Sequence, residues 1–252
     1  MDNKQLAAKA ISLLDLTNLN DDCDEAAIEA LCQKAQTPHG NTAAVCVWPR
    51  FVAKAKSCLE GTGIKVATVV NFPHGGDDLL ATIEETKAAI ADGADEIDLV
   101  LPYKTFANGR RGYGETMVVR VKEALSGDVK LKVILETGEL KDADVIREAA
   151  EAAITGGADF IKTSTGKVEV NATPEAAEIM LDVIAQSGKH VGFKPAGGVR
   201  TLDDAATYLA IAEKFMGSDW ATPAHFRFGA SGVLDALLAV MDGKEAEASE
   251  GY

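Results

Sequence analysis

Histidine, cysteine and aromatic residues are scarce in this sequence of 252 residues: four His, four Cys, and only 6% Phe, Trp and Tyr together. Cys23, Cys32, Cys46 and Cys58 show no C-x-x-C spacing and are too few to staple so long a chain, so reduced thiols and a cytoplasmic setting are expected. The histidines form no three-ligand grouping with one another or with carboxylates along the sequence, so no metal is expected. Positive charge is in deficit, 25 Lys and Arg against 39 Asp and Glu, which gives a formal net charge of −14. A field of that sign repels nucleic acid and anionic membrane surfaces, so neither is expected as a partner, and an anionic ligand must find a local pocket of positive charge. Long apolar runs are missing too: nothing approaches the roughly 18 residues of a membrane span. The opening MDNKQLAAKAISLLDL has neither a signal core nor a cleavage pattern. Neither G-x-G-x-x-G nor G-x-x-x-x-G-K-S/T occurs, which removes two nucleotide-binding signatures.

What the sequence does have is alternation. With 47% apolar and 25% charged residues it suits a globular core. Short β-branched runs alternate with Ala-, Leu- and Glu-rich stretches of helical period. Eight strands are predicted: LLDLT (13–17), AAVCVW (43–48), KVATVVNF (65–72), DEIDLVLP (95–102), LKVILET (131–137), DFIKTST (159–165), VGFKPAG (191–197) and FRFGAS (226–231). Helices are predicted between them, among others over 24–36, 78–93, 142–157, 173–188 and 201–217, several opened by Thr or Asp and closed by Gly. Strands joined by single helices lie parallel, and near-continuous apolar strands require cover on both faces. Eight such units in about 250 residues is the size of a closed α/β barrel of the (β/α)8, or TIM, type; an open doubly wound sheet would show the same periodicity. With no linker in the pattern, one barrel domain is expected over residues 1–242, followed by a flexible tail at 243–252.

In such a barrel chemistry belongs at the C-terminal ends of the strands. The polar residues late in the predicted strands are Asp15, Thr17, Cys46, Asp98, Glu136, Lys162, Lys194 and Ser231. Lys162 and Lys194 fall on neighbouring strands six and seven, and lysine is seldom buried without a partner or a purpose. A strand-end lysine reaching solvent would give the same pattern. The alternative is a nucleophilic amine beside a second cation. An ordinary lysine is neutral in only about one molecule in 2,500 at pH 7. A second ammonium ~5 Å away, at an effective dielectric of ~20, shifts that balance by about 3 kcal/mol. Asp98, inside an apolar run, would oppose that effect if it lay directly against the nucleophile, so it is expected beside Lys194 or a water. Glycines in STGK (164–167), PAGGVRT (195–201) and GASG (229–232) offer backbone N–H groups at strand-to-helix turns, a phosphate-binding signature, and Lys167 could add a point charge. His39, His190 and His225 precede strands and belong near the opposite face, whereas His74 follows strand three. Cys46 reads as a small buried thiol near the site.

The segments LLDLTNLN, NTAAVCVWPRF, TVVNFPHG, DEIDLVLPY, ILETGELKD, GADFIKTSTGK, VGFKPAGGVRT and FRFGAS, in that order, resemble the deoxyribose-phosphate aldolase family over residues 10 to 235. The resemblance implies a (β/α)8 barrel and a class I aldolase that works without metal or organic cofactor on a phosphorylated sugar and aldehydes. It implies a Schiff base on Lys162, Lys194 as the cation beside it and Asp98 in proton transfer. Asp15, Thr17 and Cys46 would line the substrate site, and Gly166, Lys167, Gly197, Gly198 and Ser231 the phosphate. Where relatives commonly continue with a second serine, this chain has Gly232, which removes one hydroxyl donor. Relatives often end in a tyrosine that assists proton transfer, a role that would fall to Tyr252. A homodimer is compatible with the sequence.

Overall fold

Alternation of two chemistries along each strand shapes the molecule. Eight parallel strands, β1 (Leu14–Asn18), β2 (Ala44–Val47), β3 (Lys65–Val70), β4 (Glu96–Val100), β5 (Lys130–Ile134), β6 (Phe160–Lys162), β7 (Gly192–Lys194) and β8 (Phe228–Ala230), pair in the order β8-β1-β2-β3-β4-β5-β6-β7. The ring closes between β7 and β8, where the Phe193 N–H donates to the His225 carbonyl at 2.8 Å and the Gly229 N–H to the Pro195 carbonyl at 2.9 Å. The sheet is therefore a closed (β/α)8 barrel rather than an open one. The computed structural model describes residues 1–244. Most of the tail expected at 243–252, including Tyr252, lies outside the described residues.

Successive strand residues face opposite ways. Leu14, Leu16, Val45, Val47, Ile97, Leu99, Leu131, Val133 and Ile161 join the core shared with the helices. The alternate positions face the barrel interior, and there the apolar pattern breaks: Asp15, Glu96, Asp98, Lys132, Lys162 and Lys194 are all buried. Cys46, Ala67, Val69 and Leu19 form a second, smaller apolar cluster.

The connecting helices are α1 (Asn3–Ser12), α2 (Glu25–Lys34), α3 (Val52–Cys58), α4 (Leu79–Ala91), α5 (Tyr103–Ala107), α6 (Arg111–Ala124), α7 (Thr137–Leu140), α8 (Ala143–Thr155), α9 (Pro174–Ser187), α10 (Leu202–Met216) and α11 (Val233–Met241). The Asp and Thr residues at the predicted helix starts are caps: Asp24, Asp78, Asp142, Thr173 and Thr201 each accept a bond from a first-turn N–H, a feature worth typically about 1 kcal/mol apiece. The strands are shorter than their apolar runs. In DFIKTST only Phe160–Lys162 stays in the ladder; beyond it the Thr163 hydroxyl accepts the Ala196 N–H at 3.0 Å in place of a strand partner.

Candidate active site

Strand register builds the centre. Lys162 lies directly opposite Lys194 in the β6–β7 pairing, and Asp98 lies opposite Lys132 in the β4–β5 pairing. The two upper lysines converge on one oxygen: Lys162 Nζ donates to Asp98 Oδ2 at 2.9 Å and Lys194 Nζ donates to the same atom at 2.8 Å. Their nitrogens are thus within about 6 Å of each other. Lys194 also donates to Asp15 Oδ2 at 2.6 Å. Room for the Lys194 chain comes from Gly229, where a Cβ would stand 3.1 Å from Lys194 Cε and 2.8 Å from the Ala196 methyl.

Asp98 therefore touches Lys162 itself, which corrects the expectation that it would lie beside Lys194 or a water instead. The physical reason is that its charge is divided: Oδ1 accepts from Lys132 at 2.8 Å while Oδ2 serves the other two lysines. Burial pushes the Asp98 carboxyl upward, but Lys132, Lys162 and Lys194 outweigh that and hold it well below the ordinary carboxylate range. Asp15 behaves alike, its burial outweighed by Lys194, Arg227 and Lys132. Both are ionised acceptors at neutral pH.

Three members of the cluster escaped the sequence reading: Lys132, Glu96 and Arg227. Lys132 Nζ lies 2.5 Å from Glu96 Oε2, and Arg227 grips Glu96 through two nitrogens and Asp15 through one. Burial alone would lower Lys132, yet Asp98, Glu96 and Asp15 raise it above the ordinary lysine range. The same opposition, with Asp15 and Glu96 as partners, raises Arg227. All three sit in predicted strand segments, but early or midway, where the search for strand-end residues did not look. The available signal was a charge at an inward, alternate position of an apolar run.

Four cations, Lys132, Lys162, Lys194 and Arg227, thus face three carboxylates, Asp15, Glu96 and Asp98. Among the described residues Lys162 touches one of the carboxylates, and each other cation touches at least two.

Thr17 lies one inward position above Asp15 and donates its hydroxyl to the Asp15 carbonyl at 2.8 Å. Cys46 is fully buried, its thiol pushed up by burial and then by Asp98. Glu136, at the end of β5, takes a left-handed backbone (φ 59°, ψ 57°), a conformation that costs a non-glycine residue about 1 kcal/mol or more. That turn aims its carboxylate at Thr165, whose N–H and hydroxyl both donate to it, at 3.1 and 2.5 Å. Burial, only partly offset by those bonds and by Lys162, raises the Glu136 carboxyl. The bond ties the loop after Lys162 to β5.

The three glycine loops differ once their helices are seen. STGK is followed by a helix only at Pro174, so Gly166 (φ 81°) serves a turn rather than a helix start. Gly197 (φ 77°) and Gly198 (φ 87°) precede α10, but Thr201 and Asp204 already form a capping box on that N-terminus. The GASG loop, with Ser231 and Gly232, runs straight into α11, whose N-cap residue is Gly232. Of the three loops only the last leads directly into a helix; the other two are turns. Lys167 donates from Nζ to the Leu19 carbonyl at 2.7 Å, spanning from the β6 loop to the end of β1.

At the other end of the barrel a cavity of about 540 Å³ is lined by residues at the strand starts, with His190, His225, Glu96 and Arg227 among them. His39 pairs with Asp242 at 3.0 Å, and His74 is exposed on the loop after β3. Among the described residues no group of three or more His, Cys, Asp or Glu is arranged to hold a metal, and no helix is long and apolar enough to cross a membrane.

Fold and centre together define a class: a (β/α)8 barrel with amines and carboxylates gathered inside the barrel. The family described as DeoC/LacD family aldolase matches residues 9–234, and the chain belongs to it. It is an aldolase, a carbon–carbon lyase. A deoxyribose-phosphate aldolase of Agrobacterium fabrum is 57% identical over 251 residues, 99% of this chain and 97% of that protein. A Toxoplasma gondii crystal structure carrying a provisional deoxyribose-phosphate aldolase assignment superposes with a TM-score of 0.87 at 27% identity, over 95% of both chains. A Coccidioides immitis structure with the same provisional assignment gives 0.80 at 29% identity, over 90% of this chain and 85% of that one.

Proposed function

We propose that this aldolase cleaves 2-deoxy-D-ribose 5-phosphate reversibly to acetaldehyde and D-glyceraldehyde 3-phosphate, in deoxyribonucleoside breakdown, through a Schiff base on Lys162. The observation that carries this reading is the shared contact of Lys162 and Lys194 with Asp98 Oδ2 in a cluster holding one more cation than carboxylates. The covalent role falls to Lys162, the cation with the fewest carboxylate contacts. Its amine attacks the aldehyde carbon of the open-chain sugar, and loss of water leaves an iminium. A base removes the proton of the hydroxyl on carbon three, the bond between carbons two and three breaks, and its electrons enter the iminium to give an enamine. Glyceraldehyde 3-phosphate departs. Protonation of the enamine and hydrolysis release acetaldehyde and restore the amine. Asp98, ionised and in contact with both amines, is placed to pass protons between Lys162 and Lys194.

The direct test is product analysis with 2-deoxyribose 5-phosphate: acetaldehyde and glyceraldehyde 3-phosphate should form in equal amounts. A product of unchanged mass would mark a barrel isomerase, and untouched substrate a binding protein; either result contradicts the proposal.

The phosphate is assigned to the loop that opens α11, with Ser231 and Gly232, assisted by Gly166, Lys167, Gly197 and Gly198. Gly232 has helical dihedrals (φ −66°, ψ −32°) that serine adopts without strain. Gly232→Ser is expected to lower KM for the phosphorylated sugar about tenfold, since a hydrogen bond to a charged oxygen contributes roughly 1.5 to 3 kcal/mol. An unchanged or higher KM would mean that backbone N–H groups already satisfy the phosphate. Tyr252 is assigned to protonation at the enamine carbon. Tyr252→Phe should slow deuterium exchange from solvent into acetaldehyde without moving Tm, and equal exchange rates would remove the residue from the mechanism. We also assign a cytoplasmic setting and a homodimer, the latter open to sedimentation analysis.

A further inference from the structure

Beneath the amine pair, the barrel floor holds a second set of charges, Arg227 and Glu96, near the strand starts. Arg227 NH1 donates to Asp15 Oδ1 at 2.6 Å, its two terminal nitrogens clasp Glu96 at 3.1 and 2.8 Å, and Nε donates to the Pro223 carbonyl at 2.6 Å. Its guanidinium lies 5.6 Å from the Phe160 ring centre, and a Cβ at Gly192 would stand 2.3 Å from that ring. Glycine there is what lets the ring sit under the strut. Glu96 in turn holds Lys132.

The consequence is a division of oxygens. Asp15 gives Oδ1 to Arg227 and Oδ2 to Lys194, with Lys132 farther off at 3.4 Å from the same Oδ2; Asp98 gives Oδ1 to Lys132 and Oδ2 to Lys194 and Lys162. Arg227 thus holds Asp15 Oδ1 and Lys132 holds Asp98 Oδ1, which leaves the Oδ2 atom of each carboxylate toward the amines.

We propose that Arg227 and Glu96 are positioning residues for the aldol reaction: a floor ion pair that fixes which carboxylate oxygens face the amines and sets how many protons the cluster above retains. Arginine does not give up its proton in proteins, so an excess positive charge must be relieved at a lysine. The inference rests on the reading of Lys162 as the amine that acts neutral.

The charges that bear on the pair from above are Asp15 on β1, Asp98 on β4, Lys132 on β5, Lys162 on β6 and Lys194 on β7, with the Cys46 thiol on β2 and Glu136 beyond β5. From below, the cavity presents Lys65, Asp95, Asp128, Lys130, Asp159, His190 and His225. All of these stay constant across the variants that follow.

The test is the acid limb of the kcat/KM profile in three variants. Arg227→Gln leaves three cations and three carboxylates, so Lys162 keeps its proton and the limb should rise by about one pH unit or more. Glu96→Gln removes a carboxylate and should lower the limb. The double variant restores one excess cation and should return the limb toward wild type. KM for the phosphorylated sugar should change less than twofold, since the phosphate loops lie at the other end of the barrel. Should Arg227→Gln not fold, Arg227→Lys must keep the wild-type limb while Glu96→Gln lowers it. Limbs that do not move, that move alike in both single variants, or that move further in the double variant would overturn the proposal. Borohydride trapping keeps the two readings apart. An adduct on Lys162 with unmoved limbs overturns the floor pair alone, and no adduct in the wild type overturns the Schiff-base reading.

Discussion

Lys162→Arg abolishes cleavage while the barrel stays folded. Guanidinium remains protonated and cannot form an imine, so the covalent route is closed rather than slowed. The expected loss is at least about 10⁴-fold in kcat, the scale on which the loss of a covalent nucleophile is felt. The fold has reason to survive, because the replacement keeps a positive charge opposite Lys194 and beside Asp98 Oδ2. Circular dichroism and Tm check the folded state, and a coupled assay for glyceraldehyde 3-phosphate checks activity. Substantial residual cleavage would remove Lys162 from the covalent role.

Lys194→Leu has the second-largest effect. It leaves Lys132, Lys162 and Arg227 against Asp15, Glu96 and Asp98, a cluster balanced only when Lys162 carries its proton. A cation ~5 Å away at an effective dielectric of ~20 contributes about 3 kcal/mol. The acid limb of the activity profile should therefore move up by about two pH units, and kcat/KM at neutral pH should fall roughly 100-fold. The substitution also strips a donor from Asp15 Oδ2 and Asp98 Oδ2, so some loss of Tm is expected as well. Lys194→Arg separates the two effects: it keeps the charge count, so its limb should stay near wild type even if crowding at Gly229 slows turnover. A limb unmoved by Lys194→Leu would contradict the charge argument.

Much of this architecture was legible in the sequence because strand and helix patterns alternate without a break. Near-continuous β-branched runs marked strands covered on both faces, and the helical stretches between them forced parallel pairing. The register that sets Lys162 opposite Lys194 follows from two neighbouring parallel strands whose lysines occupy matching positions. Other parts were hidden by packing. Helix α6 reads RGYGETMVVRVKEA, with two glycines and three valines that weaken helical propensity. In the structure Gly114 is there for close approach, since a Cβ would meet the Phe106 ring at 2.7 Å. The floor charges were hidden for another reason: early in a barrel strand a charged residue reads as an exposed strand start, as Lys65 and Lys130 are. Glu96 and Arg227 differ from those by contacts across the barrel that no local pattern encodes. Likewise GASG and PAGGVRT look equivalent as sequence, and only the Thr201–Asp204 capping box tells them apart.

The central claim, an imine on one particular lysine, is tested most directly by sodium borohydride reduction in the presence of 2-deoxyribose 5-phosphate, followed by peptide mass mapping. The expected result is a stable adduct on the peptide containing Lys162, with Lys132, Lys167 and Lys194 unmodified and activity lost in proportion to the adduct. An adduct on another lysine, or full activity retained after reduction with no added mass, would contradict it.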